Sequence, residues 1–249
     1  MSNIFIKEYE INIFDVDTEQ ICKFSSILNY LWDIFISQEH YLGETKEGFI
    51  KDKCVWIILK YDIDIYKYPK YKEIITVETK VLGSKKFYLY RESVIKNYKG
   101  EIICKAFYIL ISIDFYKRSP VKISQNKIEL YKIDKELETV PILDDISKID
   151  KEDYKKSYRI RYSDIDTNGH VNNVRYMEMA IDTLPRDILN EYRLYNIKVL
   201  FKKESNDKDI LHISSELIYD NEDIITIHYI KNNSKKILTK LQYLWKKKF

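Results

Sequence analysis

The chain has 249 residues, 45% hydrophobic and 33% charged, with 42 Lys and Arg against 39 Asp and Glu for a formal net charge of +3. That length carries one large domain or two ordinary ones, with apolar material enough for a core that needs no metal or disulfide. Interspersed charge of both signs excludes the basic stripe of a nucleic-acid binder.

Three cysteines, Cys22, Cys54 and Cys104, lie far apart with no CxxC pair. They read as structural thiols in a reducing compartment. The sequence shows no secretory signal and no apolar run of about 18 residues, so a cytoplasmic protein without a membrane span is expected. Tyr and Ile are abundant while Gly and Pro are scarce, a balance that favours strands.

The first motif in chain order is "YEINIFDVDTEQICKFSSILNYLW", Tyr9 to Trp32. A helix is expected from about Cys22 to about Gln38. Ile27, Leu28, Leu31, Trp32, Ile34 and Phe35 cover more than one face of it, which predicts a largely buried helix. Gly43 is a plausible stop. Strands come next. "VWIILKYDIDIY" alternates, with Val55, Ile57, Leu59, Tyr61, Ile63 and Ile65 on one face and Lys60, Asp62 and Asp64 on the other. "EIITVETKVLG", "FYLYRESVIKN" and "EIICKAFYILISID" continue the set, with turn signals at Gly83 and from Asn97 to Gly100.

A charged stretch containing Pro141 reads as a linker over residues 131–154. It divides a half at residues 1–130 from a half at residues 155–249. The second half opens as the first does. With Tyr9 placed over Tyr158, Ile11 falls on Ile160, Asp15 on Asp164, Asp17 on Asp166 and Thr18 on Thr167. A helix from about Asn172 to Leu184 comes next, with Asn172 or Asn173 as N-cap and Pro185 as its end. Four more strands come after it: "NIKVLFKKES", "DILHISSELIYD", "DIITIHYIKN" and "KILTKLQYLWKK". Each half is thus one helix followed by an antiparallel meander, which suggests a duplicated α+β unit with a sheet wrapped around a helix.

Several chemistries are excluded. Gly43 and Gly48 make GxxxxG, but Phe49 stands next, where a phosphate loop needs Lys. Five glycines cannot make GxGxxG or GxSxG. His40, His170, His212 and His228 show no zinc spacing, and the last two sit in strand patterns; no metal or cofactor is expected.

The remaining candidate is "DIDTNGHVNN". In an extended segment Asp166, Asn168 and His170 point the same way and converge before a helix start. Gly169 permits a turn denied to other residues. Open helix-start amides suit an oxygen that gains negative charge, while His and a carboxylate supply proton transfer near neutral pH. That set fits acyl transfer or hydrolysis; Asp and Asn are also ordinary caps and turn formers. In the first half, Glu19 and Ile21 stand where Asn168 and His170 do.

"DIDTNGHVNNVRYMEMAID" resembles the signature of the acyl-ACP thioesterases, double-hotdog fatty acyl-ACP hydrolases of plants and bacteria. "WIILKYDIDIYKYPKYKEIITVETK" is similar to their first-half Trp, strand and "YP" region. "FYLYRESVIKNYKGEIICKAFYILISID", with Tyr90 and Arg91, is similar to the family's next strands, and "VKIS" comes after it as in the family. The resemblance covers nearly the whole chain. It implies two tandem hotdog repeats, each an antiparallel sheet around a long central helix, acting on an acyl thioester of acyl carrier protein and ending fatty acid elongation. Its Asp-x-Asn-x-His motif lands on Asp166, Asn168 and His170, and its next functional carboxylate on Glu204 in "VLFKKES". Plant members often carry Cys after that Glu, whereas Ser205 stands here, so the likeness does not extend to a thiol nucleophile.

The mechanism that the resemblance implies is hydrolysis. Asn168 and the amides of Val171 or Asn172 polarise the carbonyl, Glu204 with His170 activates water, and Asp166 orients the network or itself attacks. The first half, with Trp56 and Ile58, is implied to shape the acyl pocket without catalysing. An acidic carrier would be guided by Lys and Arg patches; Arg175 and Lys202 lie near the motifs, but solvated charge is their default reading, and no one patch stands out. Competing readings are an acyl-CoA thioesterase, a non-catalytic acyl-binding protein and a hotdog hydratase; a homodimer is compatible with each.

Overall fold

In the computed structural model the described residues are 4–45, 48, 54–133, 136–139, 143–205 and 210–248, so Phe49 and Pro141 lie outside them. The chain divides into two compact units, Met1–Leu143 and Asp144–Phe249.

The N-terminal unit begins with strand β1 (Phe5–Glu10), a 3₁₀ turn (Ile13–Asp15) and helix α1 (Phe24–Tyr41). Four strands come next: β2 (Cys54–Ile65), β3 (Ile74–Lys85), β4 (Tyr88–Lys96) and β5 (Ile102–Asp114). They pair antiparallel in the order β1-β3-β4-β5-β2. A short helix, α2 (Gln125–Leu130), completes the unit. Helix α1 ends at Tyr41, past the Gln38 expected, and it buries one face instead of its whole circumference. Ile27, Leu28, Leu31, Ile34 and Phe35 are buried, while Ile36 is exposed. The helix packs on β1 and β3. Gly43 adopts φ +80° just past the helix and donates its N–H to His40 O.

Strand β2 departs from simple alternation. Its pairing with β5 slips between Ile58 and Lys60. A bulge inserts one residue and reverses the faces on either side of it. Cys54 and Ile58 are buried before the slip, and Tyr61, Ile63 and Ile65 after it. Val55, Ile57 and Leu59 therefore do not share the face of Tyr61, as an unbroken period of two predicts.

The C-terminal unit repeats the plan. Strand β6 (Tyr154–Arg159) leads to a 3₁₀ turn (Tyr162–Asp164), helix α3 (Asn173–Ile181) and helix α4 (Arg186–Glu191). Strands β7 (Tyr192–Phe201), β8 (Ile210–Asp220), β9 (Asp223–Lys231) and β10 (Ile237–Lys247) complete it. Their antiparallel order is β7-β10-β9-β8-β6. Helix α3 packs on β8, β9 and β10 and buries Val174, Met177 and Ala180. At 9 residues it is not the long helix expected over 172–184. Thr183 turns its hydroxyl back onto Ala180 O at 2.7 Å, and Pro185 caps α4 instead of ending α3.

The segment read as a linker contributes side chains to the core at three described positions. Tyr131, Ile133 and Ile146 are buried, and β6 starts at Tyr154. His228 is also structural. It is fully buried between Ser215 Oγ (2.7 Å) and Thr226 Oγ1 (2.8 Å), and burial lowers its pKa to about 3, so it is neutral. His212 lies on an exposed strand position between Ser157 and Asn233.

From the first strand to the helix, the two units match residue for residue at one constant offset. Asp15 and Asp164 each accept the backbone N–H three residues earlier, from Asn12 and Arg161. Val16 bridges Cys22 as Ile165 bridges Val171. Asp17 Oδ1 takes the N–H of Glu19 and Ile21 as Asp166 Oδ1 takes those of Asn168 and His170. Tyr9 donates to Asp33, and Tyr158 to Asp182.

Candidate active site

The candidate site is assembled on the path from β6 into α3. Asp164 anchors the entry. Its carboxylate, fully buried, accepts Arg161 N–H at 2.8 Å and the Arg161 guanidinium at 2.8 and 3.2 Å. Burial works to raise this carboxyl, but the Arg161 bonds and the nearby Arg175 hold it below the usual carboxylate range. Asp164 O then accepts Asn172 N–H at 2.8 Å, closing the segment on itself.

Between the Ile165–Val171 bridge lies a tight turn, not an extended strand. Asp166 N–H donates to His170 O at 2.8 Å, and Gly169 N–H to Asp166 O at 3.1 Å. Asp166 Oδ1 accepts Asn168 N–H at 2.8 Å and His170 N–H at 3.3 Å. Gly169 sits at φ +79°, in the left-handed region. The alternation that predicted three side chains on one side therefore does not apply here. Asp166 is bound into the backbone of the turn, and the turn presents exposed Asn168 and half-buried His170.

Glu204 arrives from the other side, on the segment leaving β7. Its Oε2 lies 3.4 Å from His170 Nε2, with the two side chains 39% and 35% exposed. Of the expected set, Asp166, Asn168, His170 and Glu204 all belong to this unit, and His170 and Glu204 meet directly. Trp56 belongs to the N-terminal unit. It lies on β2 with its ring edge-on to Tyr131 at 6.2 Å, and its buried indole N–H has no partner among the described residues.

Two expected donors are already committed. Val171 N–H goes to Ser205 O at 3.2 Å, and Asn172 N–H to Asp164 O. Neither is open to a bound carbonyl. Asn172 instead caps α3 by accepting Val174 N–H at 2.8 Å. Asn173, at the first position of α3, has an N–H with no partner among the described residues and is the open amide at this helix start. Arg175 is no free cation either, since it pairs with Glu178 at 2.6 Å and approaches Asp164 at 3.8 Å.

Ser205 is buried, and its Oγ lies 2.5 Å from the Tyr176 hydroxyl. Its described hydrogen bonds run to Tyr176 and Val171, not to His170. Tyr176 carries no motif that marks it in the sequence. Its one signal is a hydroxyl-bearing ring on the inward face of α3, where a polar tip needs a partner.

The turn and the helix start supply His170, an exposed amide side chain and an N–H, and the segment leaving β7 brings Glu204 to His170, a set suited to attack on a polarised carbonyl. Among the described residues, no group of three or more His, Cys, Asp or Glu could hold a metal ion. No helix there is long and apolar enough to cross a membrane.

Family models match both halves: "Acyl-ACP thioesterase N-terminal domain" over residues 2–131 and "Acyl-ACP thioesterase C-terminal domain" over residues 147–247. A palmitoyl-acyl carrier protein thioesterase of Cuphea hookeriana is 22% identical over 225 residues, covering 84% of this chain and 53% of its own length. The chain thus spans about half the length of the curated relatives it matches. A Lactobacillus plantarum crystal structure superposes with a TM-score of 0.93 at 21% identity, over 99% of this chain and 97% of that one. The 12:0-ACP thioesterase of Umbellularia californica gives 0.86 at 15% identity, over 98% and 94%. At these identities the structural likeness speaks for the fold.

Proposed function

Because the chain belongs to the acyl-ACP thioesterase family, we propose that it hydrolyses the thioester of acyl carrier protein, releasing a free fatty acid and the carrier thiol. Water adds to the acyl carbon, the carbon–sulfur bond breaks, and the sulfur leaves with a proton. The observation that carries this reading is the 3.4 Å approach of Glu204 to His170 beside a turn whose amides Asp166 organises.

Glu204 takes the proton of the attacking water and passes it across the 3.4 Å contact to His170, which orients that carboxylate and hands the proton on to the departing sulfur. Asn168 and the Asn173 N–H stabilise the carbonyl oxygen as it becomes negative. Asp166 serves the turn. Its Oδ1 is held by two N–H groups, which lowers its electron density for attack and favours water as the nucleophile. Single turnover in H₂¹⁸O tests the Asp166 route. Direct attack of water puts label in the fatty acid alone, while label in the protein shows a mixed anhydride on Asp166 opened at the aspartyl carbon.

We further read each unit as a hotdog, the pair in tandem, residues 1–130 taking the acyl chain past Trp56 and residues 155–249 acting on the thioester. The silent half carries Glu19 and Ile21 on the same turn that elsewhere presents Asn168 and His170. Cys22, Cys54 and Cys104 are buried and free, in keeping with a reducing cytoplasm. The test is a panel of acyl chains presented on acyl carrier protein and on coenzyme A, scored by thiol release. Faster turnover on the carrier protein is expected; equal or faster turnover on coenzyme A makes it an acyl-CoA thioesterase, and binding without thiol release makes it an acyl-binding protein.

A further inference from the structure

Glu204 lies past the end of β7, yet it must stay within reach of His170. Upstream, Lys202 and Lys203 N–H both donate to Leu238 O, at 2.7 and 3.1 Å. Downstream, Ser205 carries the fixation. Its carbonyl accepts Val171 N–H at 3.2 Å, its N–H donates to the Tyr176 hydroxyl oxygen at 3.2 Å, and its Oγ pairs with that same hydroxyl at 2.5 Å. Val171 comes directly after His170 and Ser205 directly after Glu204, so the first bond joins the neighbours of the pair and the other two tie Ser205 to Tyr176 on α3.

The repeat supplies an independent comparison. In the N-terminal unit Cys22 N–H donates to Pro69 O at 2.8 Å, the counterpart of Val171 N–H to Ser205 O. Pro69 therefore stands for Ser205 and Tyr68 for Glu204, while the offset that places Cys22 on Val171 places Ile27 on Tyr176. The backbone tie is kept in the half without Asn168 and His170. The hydroxyl lock is not, because Pro69 has no N–H and Ile27 no hydroxyl. The lock accompanies the carboxylate, not the fold.

We propose that Tyr176 is a positioning residue, whose hydroxyl clamps Ser205 and so holds Glu204 against His170. The inference rests on the hydrolase reading above. Tyr176→Phe keeps the ring, including its edge contact with Phe201 at 6.1 Å, and removes the two hydroxyl bonds to Ser205. Ser205→Ala removes one of them and keeps the Ser205 N–H bond.

The experiment measures kcat and KM on acyl carrier protein thioesters for the wild type, Tyr176→Phe, Ser205→Ala, Glu204→Gln and the Tyr176→Phe/Glu204→Gln double variant, with thermal unfolding in parallel. Tyr176→Phe should lower kcat by about ten- to a hundredfold with KM within about twofold, the scale of a small misplacement of a reacting group. Ser205→Ala should lose less than Tyr176→Phe. The double variant should match Glu204→Gln within about twofold, since a clamp has no effect once the clamped group is gone. Wild-type kcat in Tyr176→Phe, or multiplicative losses in the double variant, would overturn the clamp while leaving the hydrolase intact. A wild type that releases no thiol would overturn the hydrolase reading itself, and this inference with it.

Discussion

Replacing Glu204 with Gln separates chemistry from stability more cleanly than any other change at this site. The carboxylate is 39% exposed and its partner His170 35% exposed. At 3.4 Å across solvent-facing side chains, such a contact contributes less than about 1 kcal/mol to folding. Gln keeps the shape and one acceptor oxygen, so unfolding free energy should move by less than about 0.5 kcal/mol, within the range of surface substitutions. The rate should move far more, because removing a general base costs typically about 10²–10⁴ in turnover, equal to about 3–5 kcal/mol in the barrier. The assay is thiol release from acyl carrier protein thioesters under saturating substrate, beside denaturant unfolding of the same samples. A variant that folds as the wild type and retains more than about a third of its kcat would refute Glu204 as the base. A variant that loses both together would refute the claim that the residue acts in chemistry alone.

The geometry sets three further outcomes. Asp164→Ala leaves the Arg161 N–H without its buried acceptor and should destabilise the protein by about 1–3 kcal/mol in denaturant unfolding. Since the folded carboxyl sits below its ordinary value, the wild-type advantage should be full above about pH 4 and fade as pH falls further. Gly169→Ala meets nothing within 4 Å but must hold φ +79°, so unfolding should show a cost of about 1–2 kcal/mol without a change in KM. Burial raises Glu39 to about 7, against the pull of Arg91, so the folded state holds that proton to higher pH than the unfolded one. Glu39→Gln should therefore raise stability at about pH 8 and change little at about pH 4; an equal gain at both would show that burial of the charge is not the cause.

The strands were legible because their apolar runs are long and bounded by turn residues, and even the second half's β7–β10 came out in order. The features that escaped are non-local. The slip of β2 against β5 is a property of the pair, and no periodicity within "VWIILKYDIDIY" signals it. The shortness of α3 comes from Thr183 turning onto Ala180 and from Pro185 setting the chain for α4, a local competition that apolar spacing alone overlooks. At the site, residue types were readable and their wiring was not. Asp166, Asn168 and His170 stood out by composition, but that Asp166 is spent on two backbone amides, and that Val171 and Asn172 donate elsewhere, depends on closing a turn. Tyr176 was invisible because its partner lies on a segment 29 residues away.

The repeat argues that the turn came with the fold and the chemistry was laid over it. Both units close the same loop with an Asp that takes two backbone amides, and both tie its far end to a segment beyond a strand. Even the left-handed position is shared, held by Gln20 at φ 59° in one unit and Gly169 at φ +79° in the other. The presence of this frame in the half lacking counterparts of Asn168, His170 and Glu204 shows that these bonds form at the entry of a helix without that set of side chains. A turn already rigid for structural reasons is a ready place to mount reacting groups, since their positions need little further ordering. At the positions of the candidate site the halves differ by Asn for Glu, His for Ile, Glu204 for Tyr68, and the Tyr176–Ser205 lock for Ile27 and Pro69. On this account, the hydroxyl lock adds to the backbone tie a second hold on Ser205, the residue after Glu204, through its N–H and its Oγ.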